Sequence, residues 1–389
     1  GAHPTRPPRL RAGRKPAEAW TVEGSALRVE GYNHYDGSWA NYSETVQQVL
    51  SGQVRYAPSA RLSWQATVGR SDDQTDDYGA AGFVGGLDTR RDQASLQGDF
   101  VLAEGQRLTA GVDWLDDRIT GTTAYDVTAR DNTGVFAEYQ GRFGAQQLQA
   151  GLRNDDNEQF GSHTTGDLGW GWHFGDGLKL AARYSTGFRA PSFNDLYYPY
   201  YGNPALRPEE SKNLNLGLSG GGDAWRWSVD VFENRVDDLI SYDASIFLPG
   251  NVDTARLRGG ELTVATTLAG WDLSAEYSHV DPRNRSEGAN RGKLLPRRAR
   301  NTGRIDLDRR FGDLALGASV NAAGRRYDDA ANTVEVGGHA TADLRLEYAL
   351  HPDWTLQARV TNLFDRDYQL VDWYNQPGRE YQLTLRYLS

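Results

Sequence analysis

Trp354-Thr-Leu-Gln-Ala-Arg-Val-Thr-Asn-Leu-Phe-Asp-Arg-Asp-Tyr368 and Gly378-Arg-Glu-Tyr-Gln-Leu-Thr-Leu-Arg-Tyr-Leu-Ser389 end the sequence with two strands that can be read directly. In the first, Trp354, Leu356, Ala358 and Val360 share one face, and Thr355, Gln357, Arg359 and Thr361 share the other. In the second, Tyr381, Leu383, Leu385 and Tyr387 stand opposite Gln382, Thr384 and Arg386. Side chains alternate across a strand, so each segment has one apolar face and one wet face. A soluble sandwich presses the apolar face onto a second sheet. A membrane barrel turns it to lipid and lines its lumen with the wet face.

The same alternation recurs along the chain. Trp225, Trp227, Val229 and Val231 alternate with Arg226, Ser228 and Asp230. Leu314, Leu316, Ala318 and Val320 alternate with Ala315, Gly317 and Ser319, and Leu344, Leu346 and Tyr348 with Asp343, Arg345 and Glu347. Charges along a whole inner face carry a heavy desolvation cost in a sandwich core. They are ordinary in a hydrated lumen. The pattern therefore predicts an all-β fold, a large transmembrane antiparallel β-barrel. A soluble β-sandwich or propeller is the alternative.

Composition agrees. Only 38% of the 389 residues are hydrophobic, and no run approaches the ~20 apolar residues of a membrane helix, whereas barrel strands need no such run. Glycine (44), tyrosine (20) and tryptophan (11) suit tight turns and interfacial girdles. The absence of cysteine excludes disulfides and thiolate metal sites. A net charge of -10 argues against a nucleic-acid partner. The seven histidines show no metal-ligand spacing, and neither a nucleophile elbow nor a phosphate loop occurs, so the chain does not read as an enzyme.

Residues 1–24, with Pro4, Pro7, Pro8 and Pro16 among basic residues, read as a disordered segment without the apolar core of a signal peptide. Residues 25–389 read as the barrel, with about eighteen strands. Short turns, such as Gly175-Asp-Gly177, Ala269-Gly270 and Gly312-Asp313, alternate with long connections at about 71–91, 118–131, 188–210, 281–298 and 325–338. Outer-membrane barrels alternate in this way between periplasmic turns and extracellular loops. Asp72-Asp73 and Asp76-Asp77 read as solvated loop carboxylates, with a hard-cation site as the sharper alternative.

Ser185-Thr-Gly-Phe-Arg-Ala-Pro-Ser-Phe-Asn-Asp-Leu-Tyr197, Gly202-Asn-Pro-Ala-Leu-Arg-Pro-Glu-Glu-Ser211, Asn362-Leu-Phe-Asp-Arg-Asp-Tyr368 and Gly378-Arg-Glu-Tyr381 together resemble the barrel signature of TonB-dependent outer-membrane receptors. Arg153-Asn-Asp-Asp-Asn-Glu-Gln-Phe-Gly161, Asp237-Asp-Leu-Ile-Ser-Tyr-Asp243, Leu257-Arg-Gly-Gly-Glu-Leu262, Tyr277-Ser-His-Val-Asp281, Leu294-Leu-Pro-Arg-Arg-Ala299 and Gly324-Arg-Arg-Tyr-Asp328 bring it closest to the cobalamin branch.

The resemblance implies a Gram-negative outer-membrane barrel that takes up cobalamin or a related corrinoid, is driven by the TonB complex and sits in outer-membrane lipid and lipopolysaccharide. A siderophore receptor barrel and a passive diffusion pore are the alternatives. Against the family's 22 strands, plug domain and energy-coupling box, the chain reads as a barrel portion that begins near the fifth strand. It ends in Tyr387-Leu-Ser389, where the family ends in an aromatic residue. Such a portion is expected either to reclose as a narrower pore or to be inactive alone. No covalent cofactor is implied. Calcium belongs to the intact family, but its loops fall mostly outside this sequence, with Asp36 as a remnant ligand candidate.

Ligand sites in this family lie in apical loops. Tyr197, Tyr198, Tyr200, Tyr201 and Asn203 are the richest candidates, because flat amphipathic rings suit a large corrinoid. Some of these tyrosines read equally well as girdle residues. Arg297 matches a family position expected to face ligand. Tyr327, Trp373, Tyr374 and Asn375 complete the set, and Trp373 also reads as an interfacial anchor.

Overall fold

The computed structural model describes residues 9–35, 37, 39–175, 177–243 and 247–387. Its strands are β1 Arg9–Ala17, β2 Trp20–His34, β3 Tyr42–Ser59, β4 Leu62–Gly79, β5 Gly82–Ala103, β6 Gln106–Gly121, β7 Ala129–Phe143, β8 Gln146–Asn157, β9 Gly161–Phe174, β10 Leu178–Arg189, β11 Glu209–Gly221 and β12 Trp225–Asp243. They continue with β13 Leu248–Leu268, β14 Trp271–Asn284, β15 Asn301–Phe311, β16 Leu314–Ala323, β17 Arg326–Tyr327, β18 Glu335–Val336, β19 His339–His351, β20 Trp354–Thr361, β21 Gln369–Val371, β22 Tyr374–Asn375 and β23 Glu380–Tyr387. One short helix, α1 Phe193–Tyr197, interrupts them.

Nineteen strands form one sheet, in which each pairs antiparallel with the next in the chain. β17–β18 and β21–β22 are separate small hairpins in the loops. Turns of two or three residues close one end. At Ala269–Gly270 both residues take positive φ, 53° and 79°, as the right-handed twist of a tight hairpin demands.

Register fixes which residues share a face. Leu346 stands opposite Leu316 and Ala358, and Leu344 opposite Ala318 and Val360. The apolar row runs on through Leu383 and Leu385 on one side and Ile305, Leu273 and Leu262 on the other. Its side chains are open to the surroundings, with Leu383 at 73% exposure. The alternate row is enclosed: Asp343 is 7% exposed and Ser319 2%. There Arg345 bridges Asp308 at 2.9 Å and Asp306 at 3.3 Å, and Arg359 reaches Asp343 at 3.3 Å. The charged face lines the concave side and the aliphatic face is outermost, as a lipid-facing barrel wall requires. Near the short turns the ring pairs Trp20–Tyr56, Trp64–Phe100, Trp271–Phe311 and Trp354–Tyr387 mark an aromatic girdle.

Two expectations need correction. The sheet begins at Arg9, so part of the segment read as disordered is strand. Pro16 is tolerated because β1 is an edge strand whose register shifts between Arg14 and Ala17. The predicted 71–91 loop is instead a continuous hairpin. Arg70–Asp92 (2.6 Å) and Arg90–Asp72 (2.9 Å) convert its charges into cross-strand pairs. Of the two outcomes open to such a barrel portion, the sheet shows the unclosed one: among the described residues β1 pairs only with β2, and β23 only with β20. In an up-and-down ladder of nineteen strands the first and last run the same way, so antiparallel closure is geometrically unavailable.

Among the described residues no three carboxylates or histidines gather into a cation site. Asp76 faces the lengthened hairpin, and Asp77 accepts hydrogen bonds from Ser43 at 2.5 Å and Tyr35 at 3.2 Å. Asp36 lies outside the described residues.

Candidate ligand site at the long-loop rim

The connection from β10 to β11 is built around α1. Ser192 caps it, accepting from the Asp195 backbone N–H, while the Asp195 carboxylate accepts from the Ser192 backbone N–H. Phe193 and Leu196 face inward and are buried. Arg130 of β7 donates to the Pro191 carbonyl at 2.9 Å and lies 5.1 Å above the Phe193 ring, fastening the loop to the wall. Past the helix the chain folds back sharply: the Gly202 N–H donates to the Tyr198 carbonyl at 2.6 Å and the Asn203 N–H to the Asp195 carbonyl at 2.7 Å. A Cβ on Gly202 would fall 2.6 Å from backbone atoms of Leu196 and Tyr197. Glycine is the residue that permits this fold-back.

The fold-back sets up a line of rings crossing several loops. Tyr125, between β6 and β7, meets Tyr198 edge-on at 6.1 Å and donates its hydroxyl to Asn194 at 2.7 Å. Tyr198 meets Tyr201 at 6.3 Å, and Tyr201 stacks on Tyr242 of β12 at 5.9 Å and 19°. Arg297 lies over the Tyr242 ring at 5.7 Å. Its guanidinium is held by Asp328 at 2.6 Å, and its backbone N–H donates to the Tyr327 carbonyl at 2.6 Å. Arg297 takes a left-handed φ of 59°, so the turn itself aims the side chain. Burial raises the Tyr201 and Tyr125 phenols above their ordinary value. Beneath Arg297, Leu295 is buried against Val236, Leu239 and Ala255 of β12 and β13 and anchors the loop. Burial also lowers the basicity of neighbouring Arg298.

The expected site residues fall into distinct groups. Tyr198, Tyr201 and Arg297 join one continuous surface, and Tyr327 supports it through its backbone. Tyr197 points away to Gln159, whose side-chain amide donates to its hydroxyl. Asn203 is a brace: its Nδ2 donates to the Pro249 carbonyl at 3.1 Å and its Oδ1 accepts from the Ala205 N–H at 3.0 Å. Tyr200, at φ 63°, is fully exposed beside the row. Trp373 (87% exposed), Tyr374 and Asn375 sit on the separate β21–β22 turn, where Asn375 accepts from Gln369 at 2.8 Å. Sequence reading missed Tyr125, Tyr242 and Asp328. Tyr242 and Asp328 each lie inside a segment that carried the resemblance, but neither segment marks the residue that meets the ring row.

Comparison with known proteins places this geometry. Residues 5–363 match the family model "TonB dependent receptor-like, beta-barrel". The chain belongs to that family, whose members are transporters of the Gram-negative outer membrane rather than enzymes. It is 32% identical over 379 residues to the vitamin B12 transporter BtuB of Photobacterium profundum, covering 93% of this chain and 61% of that protein. The chain thus spans about three-fifths of the relative's length. Similar solved structures include the copper transporter OprC (TM-score 0.81, 20% identity, 97% of this chain and 70% of that one). The siderophore receptor PiuA of Acinetobacter baumannii is also similar (TM-score 0.81, 13% identity, 98% and 73%). At such identities the likeness concerns the fold.

Proposed function

We propose that this chain forms the ligand-capturing wall of a TonB-coupled receptor for cobalamin or a close corrinoid, set in the lipid and lipopolysaccharide of the outer membrane. The single observation carrying the reading is the continuous row Tyr125–Tyr198–Tyr201–Tyr242–Arg297 at the long-loop rim. Ring faces and protonated hydroxyls alternate along it, which suits a broad ligand with an apolar plane and an amide fringe. The kinship with a vitamin B12 transporter supports the same ligand. Charge argues against a ferric catecholate, which is strongly anionic and calls for uncompensated cations. Here Arg297 is already neutralised by Asp328. Uptake in the whole receptor would need the plug and the energy-coupling partner.

The test is a fluorescence titration of the refolded chain, in detergent, with cyanocobalamin and with a ferric catecholate. Saturable quenching by the corrinoid alone is expected. Quenching by the ferric chelate alone would transfer the assignment to siderophores. No saturation by either would remove the ligand site.

A further inference from the structure

Two long loops meet where β16 and β19 reach the rim. The first, residues 324–338, carries the β17–β18 hairpin, in which Arg326 stands opposite Val336. Its neck is drawn tight: a Cβ on Gly338 would lie 2.9 Å from the Ala323 carbonyl oxygen and 3.1 Å from the Arg325 nitrogen. The second loop, residues 362–378, opens with a turn held by Asn362. The Asn362 Nδ2 donates to the Arg366 carbonyl at 2.9 Å, and its Oδ1 accepts from the Arg366 N–H at 2.8 Å. That turn is pinned to β19, because the Asn362 N–H donates to the Asp343 carboxylate at 3.0 Å and the Leu363 N–H to the Ala342 carbonyl at 2.7 Å. Tyr368 then stacks on His339 at 4.2 Å and 26°. By alternation along β19, His339 shares the enclosed face of Asp343 and Arg345, so the junction of the loops opens on the lumen mouth.

Positive charge gathers at this junction without an answer. Arg326 is only 9% exposed, yet its buried Nε has no acceptor and no carboxylate pairs with it among the described residues. Arg326 and Arg366 both act electrostatically on His339, whose buried Nδ1 also lacks a partner. Nearby carboxylates are already committed. Glu335 takes Arg325 at 3.0 Å and Asp328 takes Arg297 at 2.6 Å. Asp329 accepts from the Thr333 and Val334 N–H groups, both at 2.8 Å, and Asp365 from the Arg379 N–H at 2.7 Å. Arginines lower on the same wall give the contrast. Arg153 is held by Asp113 and Asp155, and Arg345 by Asp306 and Asp308. An ionised group buried without a partner is expensive, and unsatisfied buried polar atoms call for an ion or a water.

We propose that Arg326, His339 and Arg366 form a pocket for a phosphate-class oxyanion, which clasps the 324–338 and 362–378 loops together. The three donors belong to a hairpin, a strand and a loop. A tetrahedral anion has acceptor oxygens for all three, whereas one guanidinium fork satisfies a planar carboxylate. The anion is either free phosphate or a phosphodiester carried by a ligand on the ring row. Tyr327, next to Arg326, supports the Arg297 end of that row through its carbonyl. Only the second source rests on the corrinoid reading.

The experiment is hydrogen exchange of the full chain in detergent, read by mass spectrometry over residues 324–338 and 362–378. At constant ionic strength, inorganic phosphate at ten times its dissociation constant should slow exchange of both segments about tenfold relative to chloride. Arg326→Met removes the unpartnered charge but keeps an apolar stem. It should slow exchange of 324–338 severalfold in chloride alone and abolish the phosphate response, whereas mere loss of a structural residue would speed exchange. Arg70→Gln, in another hairpin, should leave the response within twofold. Should Arg326→Met lack the β-sheet dichroism of the parent, Arg326→Lys is read instead and should weaken the phosphate response severalfold by losing the fork. Cyanocobalamin and cobinamide, which lacks the phosphodiester, separate the sources. Protection by cobalamin over cobinamide that disappears in the Arg326 variant makes the ligand's own diester the occupant. A phosphate response with no difference between the corrinoids, or with no binding of either, makes it a free anion. A phosphate response that survives in the Arg326 variant, or no phosphate response together with no difference between the corrinoids, would overturn the proposal.

Discussion

Tyr201 has Tyr198 edge-on at one side and Tyr242 stacked on the other, while Tyr200 one position earlier projects free. Two adjacent residues of the same type therefore make opposite predictions. Tyr201→Ala should weaken corrinoid binding about tenfold, the equivalent of ~1.4 kcal/mol, because it removes both a ring contact and the support of Tyr242. Tyr200→Ala should change it less than twofold. Calorimetric titration of both variants checks the pair, and equal losses would dissolve the row as a unit. Asp328→Asn frees the Arg297 guanidinium of its neutralising partner. The expected outcome is weaker discrimination against anionic ferric chelates, read as competition between the two ligands in one titration.

Elements show how local chemistry becomes a wall with two solvents. Along β19, Leu344, Leu346 and Tyr348 meet apolar partners on both neighbours, while Arg345 meets Asp306 and Asp308 across the enclosed face. An arginine at Leu346 puts a charge into lipid, at a cost of about 2–4 kcal/mol near the bilayer midplane, whereas Gln357→Arg on the lumen face should be nearly silent. Urea unfolding in liposomes, followed by heat-modifiable gel mobility, separates them. Reversed sensitivities would invert the barrel. The α1 loop depends on a different device, the close approach at Gly202. Gly202→Ala forces a backbone shift worth about 1–3 kcal/mol locally. It should expose the Tyr198–Tyr201 segment to protease while leaving the sheet's dichroism intact.

At the scale of the molecule the decisive property is parity. Among the described residues the nineteen-strand ladder leaves β1 and β23 running in the same direction, each with one unpaired edge. Unpaired backbone groups are costly in hydrocarbon. The chain reconstituted alone in a planar bilayer should therefore show no steady channel of fixed conductance. Uniform, long-lived steps would mean that the edges seal, through a parallel seam or by shedding a strand.

The alternation of Trp354–Val360, Tyr381–Tyr387 and Leu344–Tyr348 was enough to determine the strands and to divide each into an apolar and a polar face, because a period of two is local to each strand. The signature around Ser185–Ser211 and Asn362–Tyr368 was enough for the family and, with it, the outer-membrane class. Strand ends were less legible. Asp72, Asp73, Asp76 and Asp77 look like loop residues until Arg90 and Asp92 are placed opposite β4, and Pro16 looks like a breaker until β1 becomes an edge. Only the tertiary structure decided that Tyr242 lies under Tyr201, that Arg366 joins Arg326 and His339, and that the ladder stays open. The physical reason is common to all three: each depends on pairing between residues distant in sequence, and register and strand count are properties of the sheet rather than of any segment within it.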